Sequence, residues 1–347
     1  MRSLKFILAV LLFLTIIGLQ PSRALGASPI PHDWQTISAT QYYHHAGGFA
    51  INNGIVYAIG GHDCVNITTQ VEYAPVYSNG TLGTWTATSS LVNPSYTTAA
   101  VVALGHLYLV GGRAVLPPVW SNVVQVADIN PDGSLSAWRT TSPMILDRDN
   151  LGAVNIGNYI YAIGGSPEWN DQSSVEYAEI LSNGDLGAWQ YTTSMNQIRK
   201  SVFAVAYEGC IYAIGGGTGD LSDSTNTVEK ACANPDGTLG TWEYQASLNF
   251  RRSETTGVVA QDKLFVIGGW DGTSILDSVE VADINPDGSL EEWKVAEPLL
   301  HKWMGGDAVA TDSFVYILDG TIDYYPNLTK NVDRAYLIQV IFMPLLR

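Results

Sequence analysis

The stretch Tyr57-Ala58-Ile59-Gly60-Gly61 is written again, letter for letter, at residues 161–165 and 212–216. Related pentapeptides stand at 108–112 (YLVGG), 265–269 (FVIGG) and 316–320 (YILDG), which makes six copies about 50 residues apart. Two further markers keep the same period: a Val-acid/amide-x-Ala tetrad that begins at Val71, Val124, Val175, Val228, Val279 and Val332, and a Trp at 34, 85, 138, 189, 242 and 293. A fixed period of this length predicts a β-propeller.

Each repeat contains four short strands, A to D, separated by turns rich in Asn, Asp, Pro and Gly. The composition suits such a fold, since 46% of the residues are hydrophobic, 34 are glycine and only 14% are charged. Six copies of strands A to C are present, but the last repeat lacks a strand D, whereas a spare segment at 33–39 precedes the first. We therefore expect an all-β, six-bladed propeller closed by an N-terminal strand that completes the last blade.

The first residues have the pattern of a secretory signal peptide. Arg2 and Lys5 precede an apolar run, and small residues follow at Ala24 and Ala27. An uncleaved membrane anchor is the alternative, although the run is shorter than a spanning helix needs. We expect a signal peptide at 1–27, a propeller at 33–338 (blades near 42–90, 96–141, 149–193, 200–246, 254–296, and 303–338 plus 33–39) and a C-terminal tail at 339–347. The mature chain should be secreted, periplasmic or on the cell surface.

Loss of this leader changes the formal charge from −16 to −19, because Arg2, Lys5 and Arg23 are removed with it. Such a surface repels phosphate backbones and anionic lipids, which argues against nucleic acid partners and against membrane insertion after signal removal. We expect a monomer without a cofactor, whose partner is a carbohydrate or a protein.

An apolar run into Gly-Gly, followed by a spaced Tyr and Trp, resembles the kelch repeat family. The resemblance covers residues 33 to about 338, with two departures: the spaced Tyr appears only as Tyr73 and Tyr177, and the sixth Gly-Gly is Asp319-Gly320. It implies an interaction scaffold. The family also includes exported sialic-acid mutarotases and the copper enzyme galactose oxidase, so two enzymatic alternatives remain open.

Strand direction places the loops that join strand D to the next strand A (DA loops) and strand B to strand C (BC loops) on one face. Half of the mature basic residues and several aromatics fall there, which favours an anion or a sugar as ligand. The candidate ligand-binding residues are His44, His45, His62, Arg113, Arg148, Arg199, Lys200, Arg251, Arg252, His301, Lys302 and Trp270. Alternatively, the cations pair with Asp147, Asp149, Glu168, Glu254, Asp271 and Asp307 and only hold blades together. The aromatics of this face are Tyr42, Tyr43, Tyr96, Trp169, Trp270, Trp303, Tyr324 and Tyr325.

Catalysis has one candidate residue, Glu254, which could serve as acid or base in a mutarotase. His44, His45, Tyr42 and Cys64 allow a comparison with the copper oxidase, but no metal site is predicted. If Gly216 lies opposite Asn226, Cys210 lies opposite Cys232 and the two could form a disulfide. Cys64 would then be a free thiol on the loop face.

Overall fold

A computed structural model describes residues 31–114, 119–168, 170–217, 223–323 and 327–337, and this part of the chain consists of strands and turns. The expected signal peptide at 1–27 and tail at 339–347 lie outside the described residues, as do Trp169, Tyr324 and Tyr325. The described residues contain no helix long and apolar enough to cross a bilayer.

Six four-stranded antiparallel sheets surround a central axis, and in the first five the strands pair in the order A–B–C–D. The A strands of successive sheets contact one another, and the A strand of the sixth sheet contacts that of the first, which closes the ring. The all-β, six-bladed propeller expected from the repeats is confirmed.

The strand bounds repeat from blade to blade. In chain order the strands are β1 (Pro31–Ala39) before the first blade; β2 (Gly48–Asn52), β3 (Ile55–Ile59), β4 (Val71–Pro75) and β5 (Thr86–Ala87) in blade one; β6 (Ala99–Ala103), β7 (His106–Val110), β8 (Val124–Asp128) and β9 (Arg139–Thr141) in blade two; β10 (Gly152–Ile156), β11 (Tyr159–Ile163), β12 (Val175–Glu179) and β13 (Gln190–Thr192) in blade three; β14 (Phe203–Tyr207), β15 (Cys210–Ile214), β16 (Val228–Cys232) and β17 (Glu243–Tyr244) in blade four; β18 (Thr256–Ala260), β19 (Lys263–Ile267), β20 (Val279–Asp283) and β21 (Lys294–Val295) in blade five; and β22 (Trp303–Met304), β23 (Asp307–Ala310), β24 (Phe314–Leu318), β25 (Thr321–Ile322) and β26 (Asn331–Leu337) in blade six.

The outer strand of blade six comes from the N-terminus. β1 pairs antiparallel with β26, with Gln35 opposite Arg334 and Ala39 opposite Asn331, so that the sheet reads β23–β24–β26–β1. This pairing joins the two ends of the described chain and leaves no C strand of the ring without its outer neighbour, as the strand count predicted.

The repeated tryptophans fill the wedge between neighbouring blades. Trp138 and Trp242 are 6% and 3% exposed, and each packs among residues of two blades. The indole N–H of Trp138 donates to Ser89 O at 2.9 Å, and that of Trp242 donates to Thr193 O at 2.9 Å; both acceptors follow the outer strand of the preceding blade. The predicted packing role is confirmed.

The Tyr of the pentapeptide joins the blades on the opposite face. Each Tyr hydroxyl donates to the carbonyl of the glycine in the C–D turn of the next blade, at 2.6–3.0 Å: Tyr57 to Gly133, Tyr108 to Gly184, Tyr161 to Gly237, Tyr212 to Gly288 and Tyr316 to Gly80. Phe265 holds this position in blade five, directly before the blade whose outer strand comes from the N-terminus. Blade six has no C–D turn, because its outer strand is β1. A hydroxyl at residue 265 would therefore have no turn glycine to bind.

The Gly-Gly pairs allow a close approach between blades on the loop face. Gly164 and Gly165 both have positive φ, and a Cβ on Gly164 would lie 2.4 Å from Arg199 O of the next DA loop. Gly165 N donates to that same carbonyl at 2.8 Å. A side chain at Gly164 would break this contact, which explains why the pentapeptide ends in glycine.

A substitution at Trp242 tests whether the repeated tryptophans stabilise the packing between blades. We expect Trp242→Ala to lower the free energy of unfolding by roughly 3–5 kcal/mol, because a large buried ring is lost from the space between two blades. Tyr244→Ala, two residues away and 54% exposed, is the matched control and should change stability little. Chemical denaturation of both variants measures the difference, and equal losses would contradict the packing role.

Candidate functional site

A buried carboxylate in each of four blades clamps the preceding DA loop, and we call this arrangement the clasp. In blade three, Glu176 accepts hydrogen bonds from the backbone N–H groups of Ile145 (2.6 Å) and Leu146 (3.1 Å) and from the Arg148 guanidinium at 2.9 Å. Arg148 also donates to Gly164 O at 2.5 Å. Glu72, Glu229 and Glu280 make the same contacts with His44, Arg199 and Arg252.

In the other two blades, the acidic and the basic residue of the clasp are both replaced by other residues. In blade two, Ser95 replaces the basic residue and the acid is replaced by the neutral Gln125, which holds Asn93 through its own amide. In blade six, the Trp303 indole donates to Asp319 O at 2.6 Å, the carbonyl equivalent to Gly164 O. A glutamate is therefore found only where a basic side chain is available to pair with it.

This arrangement corrects part of the sequence-based site. The side chains of His44, Arg148, Arg199 and Arg252 are fully buried, and all four pair with the glutamate of the Val-Glu-x-Ala tetrad. Burial lowers the pKa of the three arginines, while the adjacent glutamate opposes this effect. These residues belong to the scaffold and do not face a ligand. Their partners are Glu72, Glu176, Glu229 and Glu280, none of which is among the acids that the sequence suggested.

A ring of backbone hydrogen bonds surrounds the axis two residues after each clasped position. Its six members are Ala46, Thr97, Asn150, Ser201, Glu254 and Gly305, all with φ between 48° and 71°. Each N–H donates to the carbonyl of the preceding member at 2.5–3.3 Å, and Ala46 N closes the circle on Gly305 O. We call this circle the amide ring. Its left-handed backbone is strained for non-glycine residues and persists because the flanking loops are clamped.

The amide ring lies at the loop-face end of an axial cavity of about 660 Å³. The walls are the six A strands, which are rich in Ala, Val and Gly. Polar lining residues gather toward the ring: His45, His62, Thr97, Asn150, Ser201, Glu254 and Asp307. The cavity is large enough for a small ligand and offers it hydrogen-bond partners at one end. We call this end the axial mouth.

An arc of aromatic and planar side chains runs outward from the axial mouth across blades one and two, and its members His45 and His62 line the cavity. The rings of His45 and His62 meet edge to face at 4.8 Å between centroids, and His62 meets Tyr96 in the same way at 5.2 Å. The Arg113 guanidinium lies over both Tyr96 (5.9 Å) and Trp120 (5.8 Å). Arg113 also pairs with the buried Asp149 carboxylate. Trp120 had not been singled out in the sequence, because a lone Trp outside the repeat pattern gives no positional signal.

The remaining sequence candidates are dispersed over the loop face. Lys200 lies 3.4 Å from the Asp171 carboxylate, and His301 lies 3.8 Å from that of Asp323. Arg251 and Lys302 are exposed, and Trp270 is partly exposed where its backbone bridges to Ser253. The basic residues of this face therefore do not converge on one anion site.

Burial shifts the pKa of each of four titratable groups of the cavity in the direction of its uncharged form. Burial lowers the pKa of His45 to about 3, with a further contribution from His62, and burial also lowers the pKa of His62 against the effect of Asp63. Burial raises the pKa of Glu254, opposed by Lys200, and raises that of Asp307 to about 6. Neutral imidazoles and two carboxyl groups thus determine the electrostatics of the axial mouth.

The strand register brings two of the three cysteines together. Cys210 and Cys232 lie opposite each other on β15 and β16 and are joined by a disulfide, while Cys64 is an exposed free thiol. Within the described residues, no group of three or more His, Cys, Asp or Glu side chains is placed to hold a metal ion. His44, one member of the copper comparison, is occupied by Glu72 and Gly60 O.

Comparison with protein-family models finds a match in one stretch of the chain. The Kelch motif family model matches residues 251–281, which include Arg252 and its clasp partner Glu280. Human kelch-like protein 23 is 26% identical over 77% of this chain and 44% of its own length. Alpha-scruin of Limulus polyphemus is 29% identical over 50% of this chain and 18% of its own length. The chain spans less than half the length of these curated relatives.

Among solved structures, that of YjhT superposes with a TM-score of 0.67 and 15% sequence identity. The match covers 88% of this chain and 97% of YjhT. At this level of identity, the likeness concerns the fold alone.

Substitutions of two neighbouring arginines, one buried and one exposed, test the contribution of the clasp to stability. We expect Arg252→Met to destabilise the protein by about 3–5 kcal/mol, because Glu280 is left buried without its cation. Arg251→Met, at the exposed neighbouring position, should cost little. The double variant Arg252→Ser/Glu280→Gln copies blade two and should regain part of the loss. Unfolding in urea provides the measurement, and a cost for Arg252→Met no greater than for Arg251→Met would refute the clasp.

Proposed function

Since the chain belongs to the kelch-repeat family, whose proteins bind protein partners and other ligands, we propose that it is an extracytoplasmic binding protein with a carbohydrate site at the axial mouth. The observation that carries this proposal is the arc of His62, Tyr96, Arg113 and Trp120 beside an open axial cavity. Flat side chains stack on the apolar faces of sugar rings, while polar groups deeper in a site bind the hydroxyls.

A carbohydrate fits this mouth better than a simple anion does. Four of the expected cations are buried in clasps, and Arg113 is paired with Asp149. The cavity lining contains the carboxyl groups of Glu254 and Asp307 and, within the described residues, no Lys or Arg. An anion entering the cavity would meet charge of its own sign, whereas sugar hydroxyls can donate to carboxylates.

Two features support the proposed location outside the cytoplasm. The N-terminal sequence has the layout of a cleaved leader. The disulfide between Cys210 and Cys232 is of a kind that persists in oxidising compartments.

A glycan array tests the binding proposal. We expect the mature protein to bind a defined set of glycans. Trp120→Ala should weaken this binding about tenfold, because the stacking of the indole ring on a sugar face is lost. Tyr244→Ala removes an exposed aromatic from an outer strand and serves as the matched control. Absence of glycan binding by the wild type, or equal binding by Trp120→Ala, would count against the axial mouth as a sugar site.

A sugar mutarotase is the second candidate, favoured by two carboxyl groups with raised pKa in one cavity. Ring opening and closing needs an acid and a base near the anomeric carbon, and a carboxyl group with a raised pKa can serve as either. Glu254 is the residue that the sequence singled out, and Asp307 begins the A strand of the next blade and lines the same cavity.

Exchange spectroscopy measures this activity directly. If the protein is a mutarotase, proton NMR should show faster exchange between the α and β anomers of a bound sugar, and Glu254→Gln should reduce the rate at least a hundredfold. Glu292→Gln, an exposed glutamate after the last C–D turn, should leave the rate unchanged. An exchange rate equal to that of the protein-free solution excludes the activity for the sugars tested.

A further inference from the structure

We propose that the axial cavity selects a ligand carrying a protonated amino group, so that, on the premise of the proposed function, its preferred ligand is an amino sugar. The starting point is the charge of the cavity wall. Glu254 and Asp307 are the acidic residues of the lining, and the described lining includes no lysine or arginine. Lys200 is close enough to affect Glu254, but its ammonium group lies beside the Asp171 carboxylate.

The two carboxyl groups differ in how the protein uses them. Asp307 accepts hydrogen bonds from the Thr256 hydroxyl at 2.5 Å and from Ala308 N at 2.8 Å. Glu254 is a member of the amide ring, which uses its backbone N–H and carbonyl and fixes the position of its Cα. Within the described residues, the Glu254 carboxylate accepts no hydrogen bond and lines the open cavity. It is therefore the carboxylate left without a donor.

His45 supplies a second, independent observation on the same wall. The residue is only 6% exposed and lines the cavity, and its Nδ1 has no hydrogen-bond partner in the described part of the chain. The low pKa of this imidazole keeps it uncharged, so it does not repel a cation. A buried polar atom without a partner is rare in a folded protein and points to a missing ligand atom or water.

An ammonium group matches this set of acceptors. It brings three N–H donors and one positive charge, and a charge-assisted bond to a carboxylate is stronger than a neutral one. The protein wall around Glu254 strengthens the attraction, because it screens charges less than bulk water does. A neutral hexose would leave Glu254 enclosed without an opposite charge, and an N-acetylated sugar would lack the charge as well. The geometry therefore discriminates among three forms of one sugar.

Paired sugars provide the experiment. Isothermal titration of the mature, disulfide-bonded protein at pH 7 uses D-glucosamine, D-galactosamine and D-mannosamine, each against its parent hexose and its N-acetyl form. We expect at least one amino sugar to bind about tenfold or more tightly than its two uncharged partners. Glu254→Gln should remove this preference, and Asp307→Asn should reduce it. Glu292→Gln, an exposed acid of the same size, should keep it.

The outcomes separate the two proposals. Equal affinity of all three forms, or a preference for the uncharged forms, overturns the amine selection but leaves carbohydrate binding intact. A preference that survives Glu254→Gln in a variant with wild-type melting temperature overturns the assignment of Glu254. If no amino sugar binds more tightly than its parent hexose in any of the three pairs, the inference is wrong, whatever the glycan array shows.

Discussion

In four of the six blades, the loop face depends on a carboxylate buried behind it. A glutamate on strand C has no contact with water, and this desolvation would be costly if the charge were left alone. Two loop amides and one basic side chain compensate for it, as Ile145, Leu146 and Arg148 do for Glu176. The loop is then fixed so firmly that residues two positions later can hold a left-handed backbone. The amide ring is the result.

The same interaction determines which chemistry reaches the axis. Three of the arginines that the sequence places on the loop face, Arg148, Arg199 and Arg252, are used inside the clasps, so they are not available to a ligand. The groups that remain at the axial mouth are neutral imidazoles and two carboxyl groups, with Arg113 stacked over Tyr96 and Trp120 further out. The loop face is rich in basic residues in the sequence, but carboxyl groups line its centre. The reason is that several of the basic side chains are buried in ion pairs.

The fold follows from the sequence because its markers recur with a fixed period and each has a simple physical cause. The wedge-filling role of Trp242, the close approach at Gly164 and the register of Cys210 opposite Cys232 were all accessible in this way. The depth of the arginines was not, because hydropathy cannot separate a paired, buried guanidinium from an exposed one. A signal did exist within the repeats, since Gln replaces Glu in the one tetrad whose DA loop carries Ser95. The amide ring left no trace in residue type, as Ala, Thr, Asn, Ser, Glu and Gly all occupy it.

The central claim is that clamped loops form a rigid, hydrogen-bonded circle around the axis and thereby preorganise the axial mouth. Hydrogen exchange of the six ring amides, measured by NMR on the wild-type protein, tests this claim most directly. We predict that these amides exchange as slowly as those in the central strands of the blades, although they lie in loops. Exchange as fast as that of the exposed C–D turns would contradict it.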